Sequence, residues 1–182
     1  MKTDKSHPQT VQQVIVRGIA ARPEHGLLSL GGLSFPCALG RSGRGSHKRE
    51  GDGSTPIGTF QLRQAFYRAD RIRRPHTYLP LAALRPDDGW CDDPADRNYN
   101  RLVRHPYGAS AEHLWRADNL YDFMIVLGYN DSPRVRGLGS AIFMHVAGDE
   151  FAATAGCIAL RIADLLRVVE RVSTTTAVRI LA

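Results

Sequence analysis

His145 stands twelve residues before Cys157, and Cys157 closes the run Thr154-Ala155-Gly156-Cys157. Those residue types at that spacing suit acyl transfer through a covalent intermediate. A cysteine that attacks a carbonyl needs a base to take the thiol proton and N–H donors for the oxyanion that develops. Cys157 offers the nucleophile and His145 the base. Gly156 lets the backbone turn tightly, so the N–H groups of Gly156 and Cys157 can point at one spot. A helix starting soon afterwards would lower the thiol pKa through its dipole if its N-terminus faced the sulfur. The same residues also have an ordinary interpretation. A lone cysteine in an apolar run is more often a small buried hydrophobe. A lone histidine on a strand is more often a satisfied core or surface group. Distance along the sequence does not establish contact between the two.

The elements that must position this pair can be read from periodicity. Segment 141–147 alternates, with Ile142, Met144 and Val146 on one face and Phe143 with His145 on the other, and reads as a strand. Alternation or short apolar runs predict further strands at 13–20, 27–30, 33–39, 58–66, 123–129 and 177–181. Gly31-Gly32 is a hairpin signal between two of them. Ile162, Leu165, Leu166, Val169 and Val172 fall at helical spacing and predict a helix over 161–172. Residues 41–55 hold several glycines, the basic run His47-Lys48-Arg49 and no large apolar side chain, and read as a long surface loop. Residues 67–120 are rich in Arg, Pro, Asp and aromatics with weak periodicity. Trp90, Tyr99, Tyr107 and Trp115 bring burial with them, so an ordered irregular insertion is expected, with one or two short helices, one around 110–115. The sum is a mainly β single domain with one or two helices over 11–182, behind a polar tail at 1–10.

Composition narrows the function classes. A chain of 182 residues suits one domain. Apolar residues at 43% and charged residues at 23% exclude a fully disordered chain. The net charge of +6 suits an anionic partner, but the basic residues are scattered and no nucleic-acid motif appears. No apolar run approaches the roughly 18 residues of a membrane-spanning helix. The polar start MKTDKSHPQT lacks the apolar core of a signal peptide. Cys37, Cys91 and Cys157 are too few for a disulfide framework, and a Cys37–Cys91 pair does not follow from the sequence. Cys37 is expected to be buried on a strand and Cys91 to lie partly exposed in a loop. No Cys/His cluster has zinc spacing, so no metal is expected. Nothing marks a large exposed apolar face, and the oligomeric state stays open.

His145 followed by Thr154-Ala155-Gly156-Cys157-Ile158 and a helix resembles the L,D-transpeptidase catalytic domain family of YkuD type, whose signature is a histidine followed by Ser/Thr-His-Gly-Cys. Upstream, Thr55-Pro56-Ile57-Gly58-Thr59-Phe60 looks like the same family's Thr-Pro-x-Gly-x-Phe segment. The middle resembles a proteobacterial branch. The pieces are Lys48-Arg49-Glu50-Gly51-Asp52-Gly53, Gly89-Trp90-Cys91-Asp92, Asn98-Tyr99-Asn100-Arg101, and the run from Ser110 to Arg116. The resemblance runs from about Gly18 to the C-terminus.

It implies a β-sandwich-like domain with His145 and Cys157 facing each other across a cleft. It implies a cysteine acylated by a peptidoglycan stem peptide after an L–D bond is cut, with no cofactor. The acyl group then passes to an amine of a second stem, forming a crosslink, or to water. A catalytically idle peptidoglycan-binding module is the alternative from another class. Two departures matter. Ala155 stands where the family motif has histidine, and Ala159 where it has an arginine. Arg161 is a candidate replacement for that arginine. The bond cut can be diaminopimelate–D-alanine or another L–D bond such as L-alanine–D-glutamate. Substrate-binding candidates are Thr154, Arg161, Trp115, Arg104 and Tyr99, with Arg44, Arg101, Arg116 and Trp90 as further possibilities. For each arginine the competing role is a solvated charge, and for each aromatic it is core packing. The resemblance points to the periplasm or cell envelope. With no readable signal peptide, the cytoplasm is the alternative.

Overall fold

The structure is a computed structural model and describes residues 11–182. The expected polar tail at 1–10 lies outside the described residues. Near the N-terminus, β1 (Gln13–Ile19), β2 (Arg22–Leu30) and β3 (Leu33–Ala38) form an antiparallel meander. Gly31 and Gly32 turn the second hairpin at φ 50° and 82°, the left-handed pair that a two-residue hairpin loop requires. Two short pieces, β4 (Arg44–Gly45) and β5 (Thr55–Pro56), pair in parallel across the glycine-rich segment. That segment is not simply a surface loop, because Lys48, Ser54 and Thr55 within it are buried.

The long strand β6 (Gly58–Tyr67) is followed by β7 (Leu81–Ala83), β8 (Asp88–Cys91), β9 (Arg101–Arg104) and β10 (Ala111–His113). Then come β11 (Phe123–Leu127), β12 (Phe143–Val146), β13 (Ile158–Leu160), α1 (Ile162–Val169) and β14 (Ala177–Ile180). The main sheet runs β11-β12-β13-β3-β2-β1-β14-β6-β7, and β6 pairs again with β11. The two walls expected of a sandwich are thus joined at both edges into a closed, barrel-like sheet. The mainly β single domain holds, with α1 as the one α-helix among the described residues.

Alternation along the strands builds two cores. Inside the barrel lie Val14, Val16, Leu28, Ile125, Met144 and Val146, closed at one end by Leu165, Val168 and Val169 of α1. Met124, Val126 and Phe143 point the other way, into a second cluster with Trp90, Leu114, Tyr121 and Cys157. Full burial of each large side chain contributes roughly 1.5–3 kcal/mol.

The insertion makes that second cluster possible. Its strands form the sheet β10-β8-β9, which covers the outer face of β11 and β12. The helix expected around 110–115 is β10 instead, with Ala111 opposite Cys91 and Glu112 opposite Trp90. Cross-strand partners decide such short segments, and they are distant in sequence. Cys91 accordingly sits buried on a strand, not partly exposed in a loop.

Candidate active site

β12 and β13 pair in parallel, with Met144 opposite Ile158 and His145 opposite Ala159. Odd-numbered side chains of both strands therefore share the outer face. His145 and Cys157 both emerge there and line one cavity of about 430 Å³ beneath the insertion. Tyr121, Glu112, Lys48 and Thr154 line it as well. Its size is within the range of small-ligand sites.

A tight turn delivers the cysteine. Thr154 is tied to the barrel by its N–H on the Leu39 carbonyl (2.8 Å) and its carbonyl on the Arg41 N–H (2.8 Å). Its hydroxyl donates to the Cys157 carbonyl (2.8 Å) and accepts the Gly156 N–H (3.1 Å). Gly156 has φ 135°, and a Cβ there would lie 2.7 Å from the Ser54 carbonyl oxygen, so only glycine fits. The Gly156 N–H expected to face an oxyanion is instead held by Thr154.

The Cys157 Sγ accepts from the Phe143 N–H (3.4 Å) and donates to the Ala141 carbonyl (3.2 Å). Burial pushes the thiol up to about 12, and the Glu112 charge adds to this while Lys48 opposes it. The helix dipole does not lower it. α1 begins only after the three residues of β13, roughly 10 Å of strand away. Burial pushes His145 down to about 4, against the hydrogen bond to Val146. That bond joins Nδ1 to the Val146 carbonyl at 2.8 Å. A carbonyl only accepts, so Nδ1 carries the proton and Nε2 keeps its lone pair for a base. At neutral pH the pair is a neutral thiol and a neutral imidazole.

Tyr121 braces the histidine. Its ring meets the imidazole edge-on at 5.3 Å, and its hydroxyl donates to Glu112 Oε1 at 2.5 Å. Burial raises the Glu112 carboxyl above the usual range. Arg116 also lines the cavity but is occupied by Asp118 (2.6 Å) and Glu112 (3.9 Å).

Of the five principal substrate-binding candidates, Thr154 alone lines the cavity with Cys157 and His145, and of the further possibilities Arg116 does. The other four have local partners that hold them elsewhere. Arg104 pairs with Asp87 (2.9 Å) and Asp88 (2.5 Å). The Arg161 guanidinium lies 5.3 Å from the Phe151 ring. Trp115 carries the Arg68 guanidinium on its face at 3.6 Å. Tyr99 donates to Glu50 Oε2 (2.5 Å) and accepts the Gly139 N–H (3.0 Å), which supports the rim without entering the cavity. Cys37 and Cys91 are buried free thiols, not a disulfide. Among the described residues no three His, Cys, Asp or Glu side chains gather as metal ligands, and no helix is long and apolar enough to cross a membrane.

Asn100 has no role assigned from the sequence beyond its place in the Asn98–Arg101 run, yet it ties the insertion to the site. It is buried at φ 57°, a conformation asparagine tolerates. Its Oδ1 accepts from Trp90 Nε1 (2.9 Å) and from the Ala141 N–H (3.1 Å). Its Nδ2 donates to the Tyr129 (3.0 Å) and Asn130 (2.9 Å) carbonyls. Asn100→Ala would orphan two donors and loosen Ala141, whose carbonyl holds the Cys157 thiol. The expected loss is about 3 kcal/mol, read by urea denaturation. A loss below about 1 kcal/mol would show that the network is dispensable.

Comparison with curated proteins finds no match. Three solved structures from Mycobacterium tuberculosis align with 93% of the chain. L,D-transpeptidase 1 is 11% identical with a TM-score of 0.42 over 59% of its own length. L,D-transpeptidase 3 is 12% identical with a TM-score of 0.43 over 61%. The same enzyme with a faropenem-derived adduct is 14% identical with a TM-score of 0.41 over 60%. The chain thus spans about three fifths of the length of these proteins. The family description of the L,D-transpeptidase catalytic domain, YkuD, matches residues 23–180. That match takes in β12 with His145, the turn with Cys157 and the buried Lys48 segment, and on it the chain belongs to the YkuD family of L,D-transpeptidase catalytic domains.

Proposed function

We propose that this domain is a peptidoglycan L,D-transpeptidase that works through Cys157 as nucleophile and His145 as general base. One observation carries this: a thiol and an imidazole with its free nitrogen at Nε2 share one wall of a single cavity. His145 Nε2 takes the thiol proton as Sγ attacks the carbonyl of the L residue in a donor stem. The tetrahedral oxyanion is met by the Cys157 N–H. The Gly156 N–H joins it only by leaving Thr154. The C–N bond to the D residue then breaks, and His145 returns the proton to the departing amine. A thioester remains on Cys157. A neutral amine of the acceptor stem attacks it, gives a proton to His145, and leaves as a new amide while the thiol re-forms. Peptidoglycan lies in the cell envelope, and we place the reaction there.

The test is mass spectrometry of muropeptides after incubation with the protein. Crosslinked dimers are expected, and their fragment masses identify the L–D bond that was cut. Shortened stems without dimers would make water the acceptor and the activity that of a peptidase. Unchanged muropeptides would favour a binding module.

A further inference from the structure

We propose that Lys48 and Ser140 form an anion subsite on the floor of the cavity, where an oxyanion of the substrate is held beside the Gly156–Cys157 peptide. The inference rests on Cys157 being the reacting group. It gives a role to the Lys48–Gly53 segment.

Lys48 is 6% exposed, yet it lines the cavity. Its ammonium has one acceptor, Asp52 Oδ1 at 2.9 Å, so two of its three protons have none among the described residues. The anchor beneath it is firm. Asp52 also accepts the Arg49 N–H (2.7 Å) and the Ser54 N–H (2.8 Å). Two glycines make room above. A Cβ on Gly139 would meet Lys48 Cε at 2.9 Å, and one on Gly156 would meet Nζ at 3.2 Å. The ammonium therefore lies against the peptide that presents the nucleophile. Next to Gly139, Ser140 is 6% exposed and lines the same cavity, and its buried hydroxyl has the Tyr99 hydroxyl as polar neighbour with bonding capacity left over.

A buried ammonium with unspent protons, beside a buried hydroxyl with bonding capacity to spare, calls for an acceptor from a ligand. A negatively charged oxygen suits both and forms charge-assisted bonds about twice as strong as neutral ones. Asp92 and Glu112, contributed by the insertion, repel an anion on that side of the cavity, while Glu50 lies nearer Lys48 and is held by the Tyr99 hydroxyl, which also takes the Gly139 N–H. Arg116 does not compete, since Asp118 and Glu112 occupy it. The oxygen can come from the tetrahedral oxyanion at Cys157 or from a free carboxylate of the stem.

The decisive experiment needs no peptidoglycan. Alkylation of Cys157 by anionic iodoacetate and by neutral iodoacetamide is followed at that peptide by mass spectrometry, in wild type and in Lys48→Met. The anion subsite predicts that the iodoacetate-to-iodoacetamide rate ratio falls at least about tenfold in Lys48→Met, and by less in Ser140→Ala, while Lys48→Arg keeps most of it. An unchanged ratio overturns the subsite and leaves the transpeptidase proposal standing. The double variant Lys48→Met/Asp52→Asn guards against loop collapse: if it restores the wild-type ratio, Lys48 is only a partner for Asp52 and the subsite is overturned. With stem peptides, a fall in kcat at constant KM assigns the oxygen to the tetrahedral oxyanion. A rise in KM at constant kcat assigns it to a stem carboxylate. Activity surviving in Cys157→Ala would instead refute the parent proposal.

Discussion

Cys157→Ala is expected to fold normally and to lose at least about 10⁴-fold in turnover, the scale seen when a nucleophile that acts with its base is removed. The fold should tolerate the change because the side chain is small. It contributes one sulfur to the cluster of Phe143, Trp90 and Tyr121 and two weak hydrogen bonds to backbone groups. A melting temperature within a few degrees of wild type, together with no crosslinked product, is the expected pair of results. Cys157→Ser should be nearly as inactive. A hydroxyl is far harder to deprotonate, and the apolar surroundings that push the thiol up to about 12 penalise an alkoxide at least as strongly. Turnover within tenfold of wild type in either variant would remove Cys157 from the mechanism. The raised thiol also has an alkaline signature. The unfolded chain gives up this proton from about pH 9, while the folded chain keeps it to about 12, so stability falls across that window. Cys157→Ala should lessen the fall, with the rest of it left to Cys37 and Tyr129, which burial also pushes up to about 12, and to Cys91, Tyr99 and Tyr121, which burial raises as well.

Much of the scaffold was legible because its signals are local. Alternation in 141–147 put His145 on a strand face, and the helical spacing of Leu165 and Val169 marked α1. The helix dipole went wrong for a local reason too, since β13 intervenes between Cys157 and α1. What stayed hidden depends on partners distant in sequence. β10 is a strand because β8 lies beside it. Asn100 matters because the chain brings Trp90 and Ala141 to it. Tyr121 follows a polar stretch without periodicity, and only the fold sets its ring against His145. Lys48 sat in a run that reads as solvated, and its burial comes from Gly139 and Gly156 on other segments. Arg104 and Arg161 show the reverse. Guanidinium chemistry suits a carboxylate, but Asp87, Asp88 and the Phe151 ring reach them first.

His145→Ala should cost about 10²–10⁴-fold in acylation at pH 7, the usual contribution of a positioned base. The pH dependence tests its burial more sharply. An exposed histidine would be half protonated near pH 6.5. Burial holds this one neutral down to about 4, so its contribution to acylation should persist at pH 5. The same shift sets a stability signature. As pH falls, the unfolded chain takes up the proton first, near 6.5, and the folded chain only near 4. The unfolded state therefore binds more protons between those values, and stability drops as pH falls through that window. The drop from this group is about 3 kcal/mol when complete. His145→Gln removes a titrating group and keeps a polar side chain of similar size. Urea denaturation at pH 7 and pH 4.5 should show a smaller loss in His145→Gln than in wild type. Equal losses would mean that the imidazole is solvated in the folded protein. A base that titrates near 6.5 would then have to find its thiol without the burial that Tyr121 and the insertion give it.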